Sequence, residues 1–339
     1  MKNSFHLCSV IVEELMSKGK HTKAYIALIF ICIVWGTTYL AIRVGVMHYP
    51  AFLFAGVRQV ISGLIIMSAG YLMSRHVDIS WKSLRHQALV GFLLITIGNG
   101  LVTWAEKYIP SGVAALICSL MPICSVLFNL VASKKEKMNA LVITGMLFGF
   151  GGVGLIFRDN IADLANGSYL MGIAATFTAT SCWALGSIIN KKRQVQTNPI
   201  FNSGMQLLFG GIFLLTASPV VDDYTNAFVW HADGFWALIY AIIFGSVLAY
   251  TAYMYALKEL PVGLVSTYAY VNPLVAVILG YLILNEQLTW ITALAFATIM
   301  LGVYLVNLGY RRIHKKAVKD MGDNEISALP TPNTRKAYN

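Results

Sequence analysis

The stretch Leu257–Trp290 reads LKELPVGLVSTYAYVNPLVAVILGYLILNEQLTW, and from Pro261 to Leu284 it carries no charged residue. That run exceeds the roughly 20 residues an α-helix needs to cross a bilayer core about 30 Å thick. Pro261 suits the first turn of such a helix, where its missing N–H costs nothing. The same signs occur earlier, in Glu106–Pro122, EKYIPSGVAALICSLMP. Lys107, Pro110, Gly112 and Pro122 recur 151 residues on as Lys258, Pro261, Gly263 and Pro273, and Gly151 recurs as Gly302 at the same offset. Trp35 and Trp183, and Gly56 and Gly204, repeat at an offset of 148, the small difference a loop insertion would make. The chain is therefore similar to itself, half against half.

The composition agrees with a lipid environment. Of 339 residues, 57% are hydrophobic and 12% charged, about half the charge of an ordinary soluble domain. Apolar runs stand near 24–44, 51–72, 87–106, 110–132, 140–157, 168–190, 200–220, 234–257, 261–284 and 288–309. The expectation is an all-α membrane protein with ten transmembrane helices. The net charge of +10 would suggest nucleic acid in a soluble protein. Here the basic residues sit between the apolar runs. With the N-terminus inside, 21 of 25 Lys and Arg fall on the inner side, three (Arg43, Lys107, Arg158) outside, and Arg58 within a span. That bias sets both termini in the cytoplasm. Because five helices make a half, the second half enters the membrane inverted. Inverted five-helix repeats place a substrate site near the midplane, where the halves meet. The expected organisation is a cytoplasmic lead over 1–23, one repeat over 24–157, a second over 168–310, and a basic, disordered cytoplasmic tail over 311–339. Glu13 and Glu14 interrupt the lead, so it does not read as a cleaved signal.

Motif chemistry is sparse. GFGGVG (Gly149–Gly154) matches a dinucleotide fingerprint in spacing alone. It lies inside an apolar run with no strand before it, so close helix packing explains it better. Cys8, Cys32, Cys118, Cys124 and Cys182 form no metal-ligand pattern. No metal, cofactor or catalytic group is implied. Glu106, Glu259 and Glu286 fall at span ends, so no carboxylate is expected mid-membrane. Arg58 is the one charge well inside a span. It could hold a substrate anion bidentately, or snorkel outward and tie helix ends together; the neutral Gln206 at the matching position favours the second. Mid-span polar and aromatic side chains, each of which needs a partner helix or a wet cavity, suggest a neutral, aromatic-lined pocket. Its candidate residues are Trp35, Thr38, Tyr39, Asn99, Ser119, Trp183, Ser187, Tyr250, Tyr253, Tyr270 and Asn272.

The segments VWGTTYLAIRVGV (Val34–Val46), FAGVRQVISGL (Phe54–Leu64), YIPSGVAALICSLMP (Tyr108–Pro122) and Leu257–Trp290 resemble the drug/metabolite transporter superfamily, specifically its EamA group of bacterial exporters. The resemblance covers about residues 24 to 310. It implies a ten-helix inner-membrane transporter without enzymatic activity, its pocket lined by the first, third and fourth helices of each half, exporting an amino acid or similar metabolite. The partners implied are a small-molecule substrate and the lipid bilayer, not nucleic acid, and a homodimer is compatible with this. Small multidrug antiporters of the superfamily carry a glutamate inside the first span. This chain has none there, so their proton exchange does not carry over. The rival readings are a sugar or organic-anion permease with Arg58 as the clamp, and a membrane-embedded enzyme.

Overall fold

A computed structural model describes residues 2–73, 77–132, 139–159, 167–192, 198–225, 229–260 and 268–328. Among them all regular structure is helical. The helices are α1 (Lys2–His48), α2 (Ala51–Met73), α3 (Trp81–Gly91, continuing through Phe92–Asn99 and Gly100–Ala105), α4 (Ser111–Cys118), α5 (Met121–Ala132) and α6 (Ala140–Asp159). There follow α7 (Gly167–Lys192), α8 (Pro199–Val221), α9 (Ala232–Tyr240, continuing through Ala241–Leu248 and Ala249–Glu259), α10 (Tyr268–Leu284) and α11 (Trp290–Ala328).

Eight stretches are long and apolar enough to cross a membrane: Thr22–His48, Ala51–Met73, Trp81–Ala105, Ser111–Phe128, Gly167–Asn190, Pro199–Val221, Ala232–Ala256 and Trp290–Gly309. Ala140–Leu155 and Val271–Leu284 are apolar but shorter. The fold is that of a helical membrane protein, and large apolar side chains such as Leu147, Trp236 and Leu282 stand exposed on it, as lipid permits.

The helices depart from expectation at two places, and the first has a local cause. The run 110–132 is not one helix but breaks at Ser119 and Leu120, between α4 and α5. Pro122 follows at once; it has no N–H to donate, and its ring crowds the carbonyl one turn back. In addition, α11 continues through Ala328, past the end of the apolar run. Residues 329–339 and the side chains of residues 1–21 lie outside the described residues.

Glycines set the closest packing. α2 runs along α8, and α6 along α11. A Cβ at Gly63 would lie 2.6 Å from the Leu208 backbone nitrogen, and one at Gly204 would lie 2.4 Å from that of Met67. Gly145, Gly149 and Gly152 press against α11 and α5, whereas Gly151 and Gly154 of the same GFGGVG run face open space. The run is thus a helix-packing seam, as its apolar setting suggested.

Side chains close the helix ends. Asp222, just after α8, accepts from Phe52 N (3.2 Å) and Leu53 N (2.9 Å) in the first turn of α2. Glu286, between α10 and α11, accepts from Ser111 N (2.8 Å), Gly112 N (3.3 Å) and the Ser111 hydroxyl (3.0 Å) at the start of α4. Carboxylates in these places satisfy orphan N–H groups and the positive end of the helix dipole. Near the end of α2 Asn198 donates to Gly70 O (2.6 Å), and Asn139, just before α6, donates to Gly309 O (2.9 Å) within α11. Beyond Asp222, the Thr225 hydroxyl and backbone N–H hold the Asp223 carboxyl below the usual carboxylate range.

Candidate functional site

α1 lies against α9 and α10, and its polar face builds one cluster with them. The Trp35 ring sits 5.2 Å from Tyr253 and 4.8 Å from Tyr268, edge-on to the latter. Tyr253 and Tyr268 are themselves 5.8 Å apart, and Tyr250 joins at 6.2 Å from Tyr253. The Trp35 indole N–H donates to Gly245 O (3.1 Å). The Tyr250 hydroxyl donates to Ser203 on α8. Asn272, one residue before Pro273, is buried; with its amide oriented to satisfy both partners, it donates to Cys32 O (2.9 Å) and Tyr268 O (3.0 Å). Thr38 bonds its own helix at Val34 O (2.6 Å) and abuts Gly245.

A second cluster joins α3 to α7. A Cβ at Gly98 would lie 2.9 Å from the Trp183 ring, which therefore rests on that glycine. Ser187 donates back to Trp183 O (2.8 Å). Asn99 accepts from Gln59 (2.9 Å) on α2. Gly98 lies in a π-helical segment, Phe92–Asn99, and Gly245 in another, Ala241–Leu248. Such segments disturb the backbone ladder and recur at functional sites. Each of the two tryptophans thus lies against a π segment of a different helix.

The remaining candidates go elsewhere. Tyr39 packs into the cluster around α4. Ser119 bonds Leu116 O (2.6 Å) at the break before α5. The Tyr270 side chain lies outside the described residues. Trp290 is exposed, while Trp104 is part-buried and meets Tyr108 at 4.7 Å with the two rings tilted.

Arg58 does not snorkel. It is 4% exposed and turns toward α9, where its Nε donates to Ser246 Oγ (3.1 Å). Glu106 stands at the end of its span, as expected, but in a covered place. It caps α3 at a run end, yet it is 0% exposed, and neither carboxylate oxygen has a hydrogen-bond partner. Position at the end of an apolar run does not tell whether neighbouring helices cover that end. Arg43 and Arg58 both lie near enough to act on the Glu106 carboxylate, and each has a buried Nη1 without a partner. Sequence reading also missed the buried amides on α3 and α8, where Gln206 donates to Gln87 (2.6 Å) and to Asn190 on α7 (3.2 Å). The signal was present: three uncharged amides in or beside apolar runs, each needing a partner.

The model of the EamA-like transporter family matches this chain twice, over residues 22–158 and 170–308. An uncharacterized inner membrane transporter of Escherichia coli strain K12, YedA, is 33% identical over 284 residues, covering 84% of this chain and 90% of the relative. The uncharacterized transporter YvbV of Bacillus subtilis strain 168 is 25% identical, covering 86% and 94%. One solved crystal structure, 19% identical, aligns with a TM-score of 0.60 over 85% of this chain and 98% of its own. That likeness concerns the fold.

Proposed function

We propose, for a chain that belongs to the EamA-like transporter family and is a multi-pass inner-membrane transporter, that it exports an amino acid or closely related metabolite by alternating access. In this reading the eight long spans and the two shorter apolar helices make ten crossings, as two inverted halves with both termini in the cytoplasm. The double family match and the inner-side excess of Lys and Arg support it.

The observation that carries the reading is reciprocal packing. α1 of the first half lies against α9 and α10 of the second, and α7 of the second lies against α3, α4 and α5 of the first. Trp35 meets Gly245, and Trp183 meets Gly98. An inverted pair that rocks about a shared centre needs this exchange, because each half then presents its first helix to the other's binding surface. The aromatic group around Trp35, Tyr253 and Tyr268 supplies faces for apolar or cationic parts of a cargo.

The test is export itself. Cells overexpressing the protein are challenged with toxic amino acids and analogues, and their medium is profiled. Resistance with extracellular accumulation of a compound of that class is expected. Unchanged resistance and unchanged medium, with the protein shown in the membrane, would refute the export reading. A second reading, a permease for organic anions, is favoured by the unpartnered Nη1 of buried Arg58. It predicts uptake of a monocarboxylate that carries no amine.

A further inference from the structure

We infer that Glu286 is a positioning residue for transport: its carboxylate latches the first turn of α4, in the first half, to the turn between α10 and α11, in the second, and so holds the outer end of the path shut. The inference rests on the alternating-access reading above and adds to it a contact that has to break.

Several helix starts are served from within their own segment. Ser80 accepts from Ser83 N (3.3 Å) at α3, Asn139 from Val142 N (2.9 Å) at α6, Asn198 from Ile200 N (3.0 Å) at α8 and Thr289 from Thr292 N (3.0 Å) at α11. Such caps are local and indifferent to how the two halves sit. α4 differs. Pro110 stands at its cap position and has no side-chain acceptor to offer. Its first N–H groups are met instead by Glu286, which lies 175 residues beyond Ser111 in the chain. The local backbone brings the carboxylate there. Asn285 takes a left-handed φ of 55°, and Glu286 N donates back to Gly280 O (3.0 Å). The carboxylate lies over Gly280, where a Cβ would collide with it. When α4 and α10 part, α4 loses its cap.

α2 is likewise capped from the opposite half, by Asp222. That contact has no room to open. Added Cβ atoms at Gly56, Gly63 and Gly70 would stand 3.1, 2.6 and 2.5 Å from the backbone nitrogens of Leu215, Leu208 and Phe201, so α2 and α8 are close over most of their length. α4 and α10 meet at Gly112 and Val277, where an added Cβ would lie 2.8 Å from the valine side chain. The span then breaks at Ser119 and Leu120, and α5 lies against α7 and α11 instead. A pocket of about 230 Å³ adjoins the latch, lined by Glu286, Gln287 and Thr292 together with Pro110 and Val113. Water can therefore take over the carboxylate as α4 withdraws, which keeps the net cost of opening small.

The experiment uses the full chain in sealed cells and needs no cargo. Leu116→Cys, wholly buried one turn below Gly112 on the same face of α4, and Val277→Cys, opposite on α10, serve as separate reporters. A membrane-impermeant thiol reagent is added outside, and each labelling rate is read above that of the protein without the reporter. Glu286→Gln removes the charge and one acceptor oxygen. It should raise the rate at both reporters by about tenfold, the factor that one charge-assisted bond is worth. Asp222→Asn, which weakens a cap of the same kind at the seam that stays closed, should leave both rates unchanged although it lowers the melting midpoint as much. Unchanged rates in Glu286→Gln would overturn the latch, since the outer end would then close without it. An equal rise in Asp222→Asn would overturn it too, since lost stability alone would explain the labelling. Either reporter decides if the other is lost. Because no cargo enters, an export screen that finds nothing counts against the export reading alone.

Discussion

Replacing Gly302 by alanine adds one methyl group where α11 crosses α6. Its Cβ would stand 2.5 Å from Gly149 N, 2.6 Å from Gly145 O and 2.9 Å from Gly149 Cα. All three are backbone atoms, so no rotamer change relieves the contact. Ordinary contact distances are about 3.5–4.0 Å, so the helices must part by about 1 Å, and a gap of that size forfeits up to about half of each neighbouring contact. Overpacking of this kind costs about 1–3 kcal/mol, offset by about 0.5–1 kcal/mol because alanine is the better helix former. The net expectation is a destabilisation of up to about 2.5 kcal/mol. Gly151, in the seam's own GFGGVG run, has nothing near its added Cβ. Gly151→Ala should therefore only gain, by about 0.5–1 kcal/mol. Thermal unfolding of both variants in detergent, followed by fluorescence size exclusion, reads the sign directly. Midpoints that move together, in either direction, would refute the proposed seam between α6 and α11.

The helix-end carboxylates give a second contrast: Asp222→Asn and Glu286→Gln should each lower the same midpoint by about 1 kcal/mol, while Asp223→Asn, which bonds only the exposed Thr225, should leave it unchanged. Trp35→Phe keeps a ring beside Tyr253 and Tyr268 but loses the bond to Gly245 O; export should fall severalfold at unchanged membrane level, and full export would remove that contact from the mechanism. Topology is checked in sealed cells by single-cysteine labelling from outside: Asn226→Cys should react and Gln194→Cys should not, and reaction at Gln194 would sink the assignment of termini.

Membrane character was legible because it depends on run length, which one dimension records. The uncharged run after Pro261 and the earlier Glu106–Pro122 stretch needed only counting. Pairing between helices is not recorded that way. Tyr39 and Thr38 are adjacent in sequence, yet Tyr39 goes to α4 while Thr38 goes to α9, since neighbours on a helix point about 100° apart. Ser119 read as a pocket residue because it is polar and mid-run, but the break before Pro122 gives it a local carbonyl instead. Glu106 was discounted for standing at a run end, where sequence cannot tell a wet edge from a covered one.

Arg58 shows how the repeat can mislead and then inform. Its partner by offset, Gln206, is neutral, which made a structural role for the arginine look sufficient. Both residues are buried, and both reach across to other helices: Arg58 to Ser246 on α9, Gln206 to Gln87 on α3 and Asn190 on α7. Under the proposed inverted repeat these are equivalent bridges, and a neutral amide serves in one of them. The bridge alone therefore does not require a charge. What distinguishes the Arg58 side is a charge kept in a buried place, with an Nη1 that has no partner. Where two halves share an architecture, the residue that departs from its counterpart at a desolvation cost marks what the architecture does not need. On that reasoning Arg58→Gln should reach the membrane and melt close to wild type while its transport activity changes. A protein that loses its fold on that one substitution would return Arg58 to a structural role.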